Sequence, residues 1–260
     1  MVRPKKHLGQ HFLHDRNIAE RIASLVPNTS AMVLEVGPGT GVLTQFLLPR
    51  FGSRLRLVEI DEESVAYLKQ HFVLKEGQLL NGDFLCVSLE DFSTDNMVVV
   101  GNFPYNISSQ IFFHILASHQ QVSEVVCMIQ LEVAQRIAAS HGSRTYGILS
   151  VLMQAWYDIR IMFEVGPGAF VPPPKVRSAV VHMQRKGVEH LGCDKNLFHK
   201  VVKQAFNQRR KTLRNALGGM VNRDAVYPMM DKRAEQLTVQ DFVMLTWWIE
   251  QEQKNGKISS

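Results

Sequence analysis

The chain has 260 residues, 45% of them hydrophobic and 20% charged, with a formal net charge of +5. That balance excludes a disordered or fibrous chain and suits one sizeable core with a small second domain. The charge is unevenly placed, with fourteen Lys/Arg against eight Asp/Glu in residues 183–260 and fifteen against sixteen in residues 1–182.

In chain order, the basic opening MVRPKKHLGQHF leads into no apolar segment, so it does not read as a secretory signal. Residues 31–36, 55–60, 97–101 and 124–130 are nearly continuous apolar runs, the pattern of parallel strands covered on both faces. A shorter strand is expected at about 77–81, and residues 42–51, 62–72 and 108–117 have helical spacing. A helix at 147–156 precedes two strands, 157–165 and 179–185, whose proline-rich connection suits an antiparallel pair at a sheet edge. From about Lys186 the texture is helical throughout, in LFHKVVKQAF, TLRNALGGMV, DAVYPMM and TVQDFVMLTWWIE. The expected architecture is α/β: a Rossmann-like doubly wound domain over residues 1–185 and a small all-helical domain over 186–260. No apolar run approaches the roughly 18 residues of a membrane span. Cys86, Cys127 and Cys193 are scattered and no His/Cys cluster has metal-ligand spacing, so reduced thiols, no metal and a cytoplasmic location are expected.

The first strand runs into Glu35-Val36-Gly37-Pro38-Gly39-Thr40-Gly41, with a helix beginning at about Val42. A strand, a glycine loop and a helix in that order let backbone approach a ligand closely, although many such loops are plain tight turns. Glu59 ends the second strand, where an acid can accept from both hydroxyls of a ribose; a surface acid is the bland reading. Asp61 reads as a helix N-cap. The spacing E-x-G-x-G-x-G differs from the G-x-G-x-x-G that seats a pyrophosphate, and suits a nucleoside without phosphate such as S-adenosylmethionine. Asp83, after the third strand, reads as a turn residue or as the group that binds the adenine amine of such a ligand.

Directly after the fourth strand comes Asn102-Phe103-Pro104-Tyr105. An adenine amine is a poor nucleophile because its lone pair is delocalised into the ring. Two acceptors on its hydrogens, the Asn102 side-chain carbonyl and the Phe103 backbone carbonyl, would favour a pyramidal nitrogen. Pro104 fixes the backbone and removes a donor, and Tyr105 offers a face on which an extruded base can stack. Catalysis of this kind is mainly alignment. Alone, the tetrapeptide could equally be an Asn/Pro turn; after the glycine loop and Glu59 the catalytic reading prevails.

With these residues in hand the chain resembles the ribosomal RNA small-subunit adenine dimethyltransferase family over nearly its whole length. The matching segments are Leu8–Leu13, Glu35–Gly41, Val58–Asp61, Gly82-Asp83, Gly101–Asn106, Gln130–Val133, Phe170–Val176 and Phe206–Arg214. The resemblance implies transfer of methyl groups from S-adenosyl-L-methionine, leaving S-adenosyl-L-homocysteine, to two adjacent adenosines in a hairpin loop near the 3′ end of small-subunit RNA. It implies cofactor contacts at His11, Leu13, Gly37, Glu59, Asp83 and Asn102, with His11 standing where Asn is usual in the family. It also suggests Phe170 as a wall of the target-base pocket opposite Tyr105, with core packing as the alternative. The implied partners are ribosomal RNA and the assembling small subunit, met by a monomer.

Read as one helix, residues 198–217 place Phe198, Val202, Ala205, Leu213 and Ala216 on one face. Lys200, Lys203, Lys211 and Arg214 lie opposite, with Arg210 at the border. That stripe is either a solvated face or a phosphate-binding surface, and Lys203, Arg210, Lys211 and Arg214 are the candidate RNA contacts. Arg209 falls toward the apolar side, where a buried or interdomain ion pair is expected. Three rivals remain: a large-subunit adenine methyltransferase conferring antibiotic resistance, a non-catalytic assembly factor and a DNA adenine methyltransferase. The segments 172–181 and 206–214 favour the small-subunit reading over the first, and the intact tetrapeptide with Glu59 argues against the second.

Overall fold

The computed structural model describes residues 2–29, 31–92, 96–221 and 226–258. In chain order come β1 (Phe12–Leu13), α1 (Arg16–Leu25), β2 (Met32–Val36), α2 (Thr44–Phe51), β3 (Leu55–Glu59) and α3 (Glu62–His71). Then follow β4 (Leu79–Asn81), β5 (Met97–Asn102), α4 (Ser108–Ala117), β6 (Val122–Gln130), α5 (Leu131–Ile137) and α6 (Ile148–Trp156). The remaining elements are β7 (Tyr157–Val165), β8 (Phe170–Val171), β9 (Ser178–Arg185), α7 (Lys195–Asn207), α8 (Leu213–Ala216) and α9 (Val239–Ile258).

Seven strands form one sheet in the order β4-β3-β2-β5-β6-β9-β7. Its first five strands pair in parallel and β9 joins β6 antiparallel, while β7 lies at the sheet edge beside β9, the strand expected to be its neighbour. The order reverses between β2 and β5, and the carboxyl ends on either side of such a switch point leave a crevice. Central strands are apolar because both faces are covered: Met97 to Gly101 of β5 are all buried. Gly101 is required by closeness, since a Cβ there would lie 2.5 Å from the Val36 carbonyl oxygen. Asp15 starts α1 by accepting from the amides of Asn17 and Ile18 at 2.9 and 3.1 Å. That helix was not expected from sequence, nor was the small sheet in which β1 pairs antiparallel with β8.

Contacts divide the chain into two compact units, Met1–Ala134 with Asp158–Arg185, and Gln135–Tyr157 with Lys186–Ser260. The single boundary expected at 185/186 therefore misses two further crossings, at 134/135 and 157/158, because residues 135–157 group with the C-terminal helices. The reason lies in α6, where Leu149, Val151, Leu152, Met153, Ala155 and Trp156 are all buried. A helix apolar on so many sides needs several neighbours, and α6 meets α7 and α9 within the second unit.

The single helix expected over 198–217 is also broken. Asp194 caps α7, which ends at Asn207, and Gln208 leaves helical geometry at φ −115° and ψ 47°. Tertiary bonds take over from helical ones beyond it. Leu213 N–H donates to the Lys232 carbonyl at 2.8 Å and Arg214 N–H to that of Met230 at 2.9 Å, while Thr212 bridges Arg233. Of the helical pattern DAVYPMM, residues 224 and 225 lie outside the described residues, and Tyr227–Met230 sit in turns.

Candidate active site

A cavity of about 300 Å³ opens at the carboxyl ends of β2, β3 and β5, lined by Gly37, Glu59, Asn102 and the segment 7–12 among others. That size falls at the lower end of small-molecule sites. The glycine loop leaves β2 and turns sharply over the cavity. Gly39 sits at φ +56°, and a Cβ there would fall 2.8 Å from the Phe12 ring, so a side chain is barred by both conformation and space.

Glu59 is 3% exposed. Its Oε2 accepts from Gly39 N–H and its Oε1 from Asp61 N–H, both at 2.9 Å. Burial pushes this carboxyl up from its ordinary value, and those two amides oppose the shift. The acid expected to meet a ribose thus also ties the glycine loop to β3, and each oxygen keeps a second lone pair for a ligand. Asp61 caps α3 as expected, accepting from Ser64 N–H at 3.3 Å, and pairs with the Lys5 ammonium. Burial alone would raise the Asp61 carboxyl, but Lys5 and Ser64 outweigh it and hold the pKa low. Asp83 lines the cavity and also accepts from Leu85 N–H at 2.9 Å, so both readings of it are compatible with its place.

Asn102 ends β5 at the cavity. Its Nδ2 donates to the His11 carbonyl at 3.0 Å, and only an amide NH₂ can occupy that position, which fixes the orientation of the group. Its Oδ1 is buried with no hydrogen-bond partner. An unmet buried acceptor costs about 1–3 kcal/mol, and such a group marks a place where a donor belongs. Phe103 is buried against Phe112, leaving its backbone as the part available for chemistry. Pro104 lines the cavity. Tyr105 lines it too, with its hydroxyl bonded to Ser178 and its ring stacked on His11 at 5.3 Å between centroids. Burial pushes the Tyr105 phenol above its ordinary value, so it stays neutral.

Two expected site residues lie elsewhere. Phe170, 2% exposed, and Leu13, 2% exposed, face each other across the β1–β8 register inside the hydrophobic core. Neither lines the main cavity. Burying such a side chain contributes about 1.5–3 kcal/mol, and Phe170 adopts the core packing that was the alternative to a base-pocket role. Leu13 borders a small hollow beside Glu35 and Asn102. Sequence reasoning assigned no role to Ser178 or Glu35. Ser178 is 73 residues from the Tyr105 it holds, with no local signal to reveal it. Glu35 did carry a signal, an acid within an apolar strand. It is 1% exposed, accepts from Thr44 Oγ1 at 2.8 Å, and burial pushes its pKa to about 8.

The candidate RNA contacts do not share one helical face. Lys203 is exposed on α7, Arg210 and Lys211 are exposed in the turn after it, and Arg214 lies on α8 with an ion pair to Asp231 at 3.5 Å. Arg209 forms an ion pair with Glu235 at 3.8 Å and donates to the Ser143 carbonyl at 3.3 Å. A buried or interdomain ion pair was expected; the observed one is neither, lying within the second unit with the Arg209 side chain 39% exposed, because no helix reaches Arg209 to turn it toward the apolar side.

Among the described residues, no group of His, Cys, Asp and Glu is placed to hold a metal, and no helix is long and apolar enough to cross a membrane. A doubly wound sheet ending in an antiparallel strand, a glycine loop bound by the acid of the next strand and an unmet amide oxygen over the same cavity define a Rossmann-like methyltransferase. A family model described as ribosomal RNA adenine dimethylase matches residues 1–251, and the chain belongs to that family. The ribosomal RNA small subunit methyltransferase A of Parabacteroides distasonis is 52% identical over 250 residues, which cover 95% of this chain and 94% of the relative. That of Bacteroides thetaiotaomicron is 48% identical over 264 residues, covering 100% of this chain and 98% of the relative. The crystal structure of a dimethyladenosine transferase from Plasmodium falciparum aligns with a TM-score of 0.76 at 25% identity, over 94% of this chain and 98% of that one. The 23S rRNA methyltransferase ErmE shares the fold, with a TM-score of 0.65 at 23% identity over 91% of this chain and 99% of that one.

Proposed function

We propose that this enzyme dimethylates the exocyclic amines of two adjacent adenosines in a hairpin loop near the 3′ end of 16S ribosomal RNA, with S-adenosylmethionine as donor. The observation that carries the reading is the unpartnered Asn102 Oδ1 at a cavity shared with Glu59. The residues fit the cofactor: Glu59 for its ribose hydroxyls, Asp83 for its adenine amine, and Gly37 with His11 beside the remainder, all lining the one cavity. When bound, S-adenosylmethionine supplies a methyl group on a sulfonium, an electrophile strong enough to need no strong general base at the acceptor.

The chain's own work is then on the acceptor. Asn102 Oδ1 and the Phe103 carbonyl accept from the adenine amine, drawing its lone pair out of conjugation. Tyr105 holds the base by its ring face, and Pro104 keeps the two carbonyls at a fixed spacing. Lys203, Arg210, Lys211 and Arg214 supply phosphate contacts in the second unit. The near-50% identity to relatives named for the small subunit favours that RNA over the large-subunit alternative. The enzyme acts as a monomer on the assembling small subunit in the cytoplasm.

Incubation of undermethylated small subunits, and in parallel of large subunits and of DNA, with labelled cofactor, followed by mapping of modified nucleotides, tests this. Label in two neighbouring dimethyladenosines of 16S RNA is the expected result. Label confined to large-subunit RNA, or to DNA, overturns it.

A further inference from the structure

We propose that His11 is the positioning residue of the acceptor side, setting the orientation of both Asn102 and Tyr105. This rests on the roles given to those two residues under the proposed function, and it goes beyond the cofactor contact that the family resemblance implies for this position.

Each of the two acceptor-side groups has one torsion that its own element leaves free. The Asn102 amide can turn about its Cβ–Cγ bond and exchange oxygen for nitrogen. The His11 carbonyl removes that freedom by accepting from Nδ2 at 3.0 Å, and so leaves Oδ1 as the unpartnered atom. Tyr105 is pinned at its tip by Ser178, but a bond at the hydroxyl lies on the ring's long axis and does not stop rotation about it. Only a contact on the ring face does so. The His11 imidazole provides one, with centroids 5.3 Å apart and planes 27° apart.

His11 can do this because its own ring is held. His11 Nδ1 lies 2.8 Å from the Pro172 carbonyl oxygen, and since a carbonyl only accepts, Nδ1 carries the hydrogen. Pro172 is in turn fixed by the small sheet, where Phe12 faces Val171 and Leu13 faces Phe170, and where His14 N–H donates to the Ala169 carbonyl at 2.9 Å. The β1–β8 pair therefore has a use that its two-residue strands do not suggest. It anchors one imidazole, which fixes the plane of Tyr105, while the adjoining main chain fixes Asn102. An Asn at this position can do the same, because its side-chain NH₂ can reach the place of Nδ1 and its amide is also planar.

The test compares His11→Ala, His11→Leu and His11→Asn in the full chain, with cofactor affinity by calorimetry and turnover on undermethylated small subunits at saturating cofactor and RNA. The Ala and Leu variants should lose about tenfold or more in kcat at saturating cofactor, a loss larger than any rise in cofactor Kd from the lost His11 contact, the pattern of lost alignment. The Asn variant should recover most of that kcat. Turnover in Leu equal to that in Asn overturns the proposal, because filled volume alone would then suffice. So does a weaker cofactor Kd in Ala with unchanged kcat, which makes His11 a cofactor contact only. Asn102→Ala runs beside them: if it turns over normally, the reading of the site fails and His11 with it. If Asn102→Ala is inactive and His11→Ala is not, only the His11 assignment fails.

Discussion

The two units of this chain use charge in opposite ways. In the first, the ionisable groups that matter are inside: Glu35 is 1% exposed and Glu59 3%, and each is met by named donors of the glycine loop, the next helix or both. In the second, the candidate contacts are exposed lysines and arginines on a broken helix and the turn after it, and Arg214 is partly taken by Asp231. A buried carboxyl is expensive to leave unmet, so its surroundings fix its position. An exposed cation is solvated wherever it points and can meet a phosphate from many positions. Alignment of a poor nucleophile needs the first kind of group, and affinity for a polyanion needs the second.

That contrast is broken most directly at Asn102. Asn102→Ala removes the acceptor from the base without removing a group that binds cofactor strongly, so kcat should fall by ~10²-fold or more while KM changes little. Single-turnover kinetics with small-subunit substrate reads the split; near-normal kcat removes Asn102 from the chemistry. Glu59→Ala should act on the other ligand. Loss of a charge-assisted contact weakens cofactor binding by about 1.5–3 kcal/mol, and the Gly39 and Asp61 amides lose their partner as well. Calorimetry should show that loss with RNA affinity unchanged, and an unaltered cofactor affinity would take Glu59 out of the site.

Glu35 sharpens the comparison through pH. Its pKa stands at about 8 in the folded chain because it is buried, against the ordinary carboxyl value of 4.5. An acid raised on folding contributes stability that is full below the unfolded value and is lost as pH climbs toward the folded one. Between about pH 4.5 and 8 the wild type should therefore lose melting temperature relative to Glu35→Gln, with the gap levelling off above that window. Melting curves from pH 5 to 9 measure it. A gap that stays constant means the carboxylate is already charged at pH 5.

The same division governs what could be read from the sequence. Strands, glycine loop and tetrapeptide were legible because each is a local pattern with a local cause: apolar runs for a buried parallel sheet, then a turn, then an acceptor. Glu59 and Asp61 were assigned from position alone; Asp61 caps its helix as expected, and Glu59 lines the cavity. What failed depended on partners distant in sequence. Phe170 could wall a pocket or fill the core, and only its pairing with Leu13 decides for the core. The helix over 198–217 has sound periodicity, yet backbone bonds to Met230 and Lys232 break it, and nothing within 198–217 announces them. The orientation of Asn102 was likewise hidden, since it is set by a carbonyl 91 residues away.

The smallest effects test whether the second unit's cations are as free as their exposure suggests. Replacing Lys211 and Arg214 together with Ala should weaken RNA binding and flatten its salt dependence, by about 0.7 in the log–log slope for each lost single-strand phosphate contact. Cofactor affinity should not move. A slope equal to wild type with weaker binding would mean these residues act by packing or base contact instead. Arg209 is the counterpart within the same stretch of chain. Its ion pair to Glu235 spans 3.8 Å, beyond hydrogen-bonding reach, and its side chain is 39% exposed, so the pair resembles a surface one. Such pairs are worth about 0–1 kcal/mol, which at this chain length lowers the melting temperature by no more than about 2–4 °C. Arg209→Ala should thus cost a small amount of stability, through Glu235 and the Ser143 carbonyl, and leave the RNA salt slope as it was. The double replacement of Lys211 and Arg214 should do the reverse. If Arg209→Ala flattens the slope with no change in melting temperature, the Glu235 pair is dispensable, and Arg209 belongs with the exposed cations rather than with the fold.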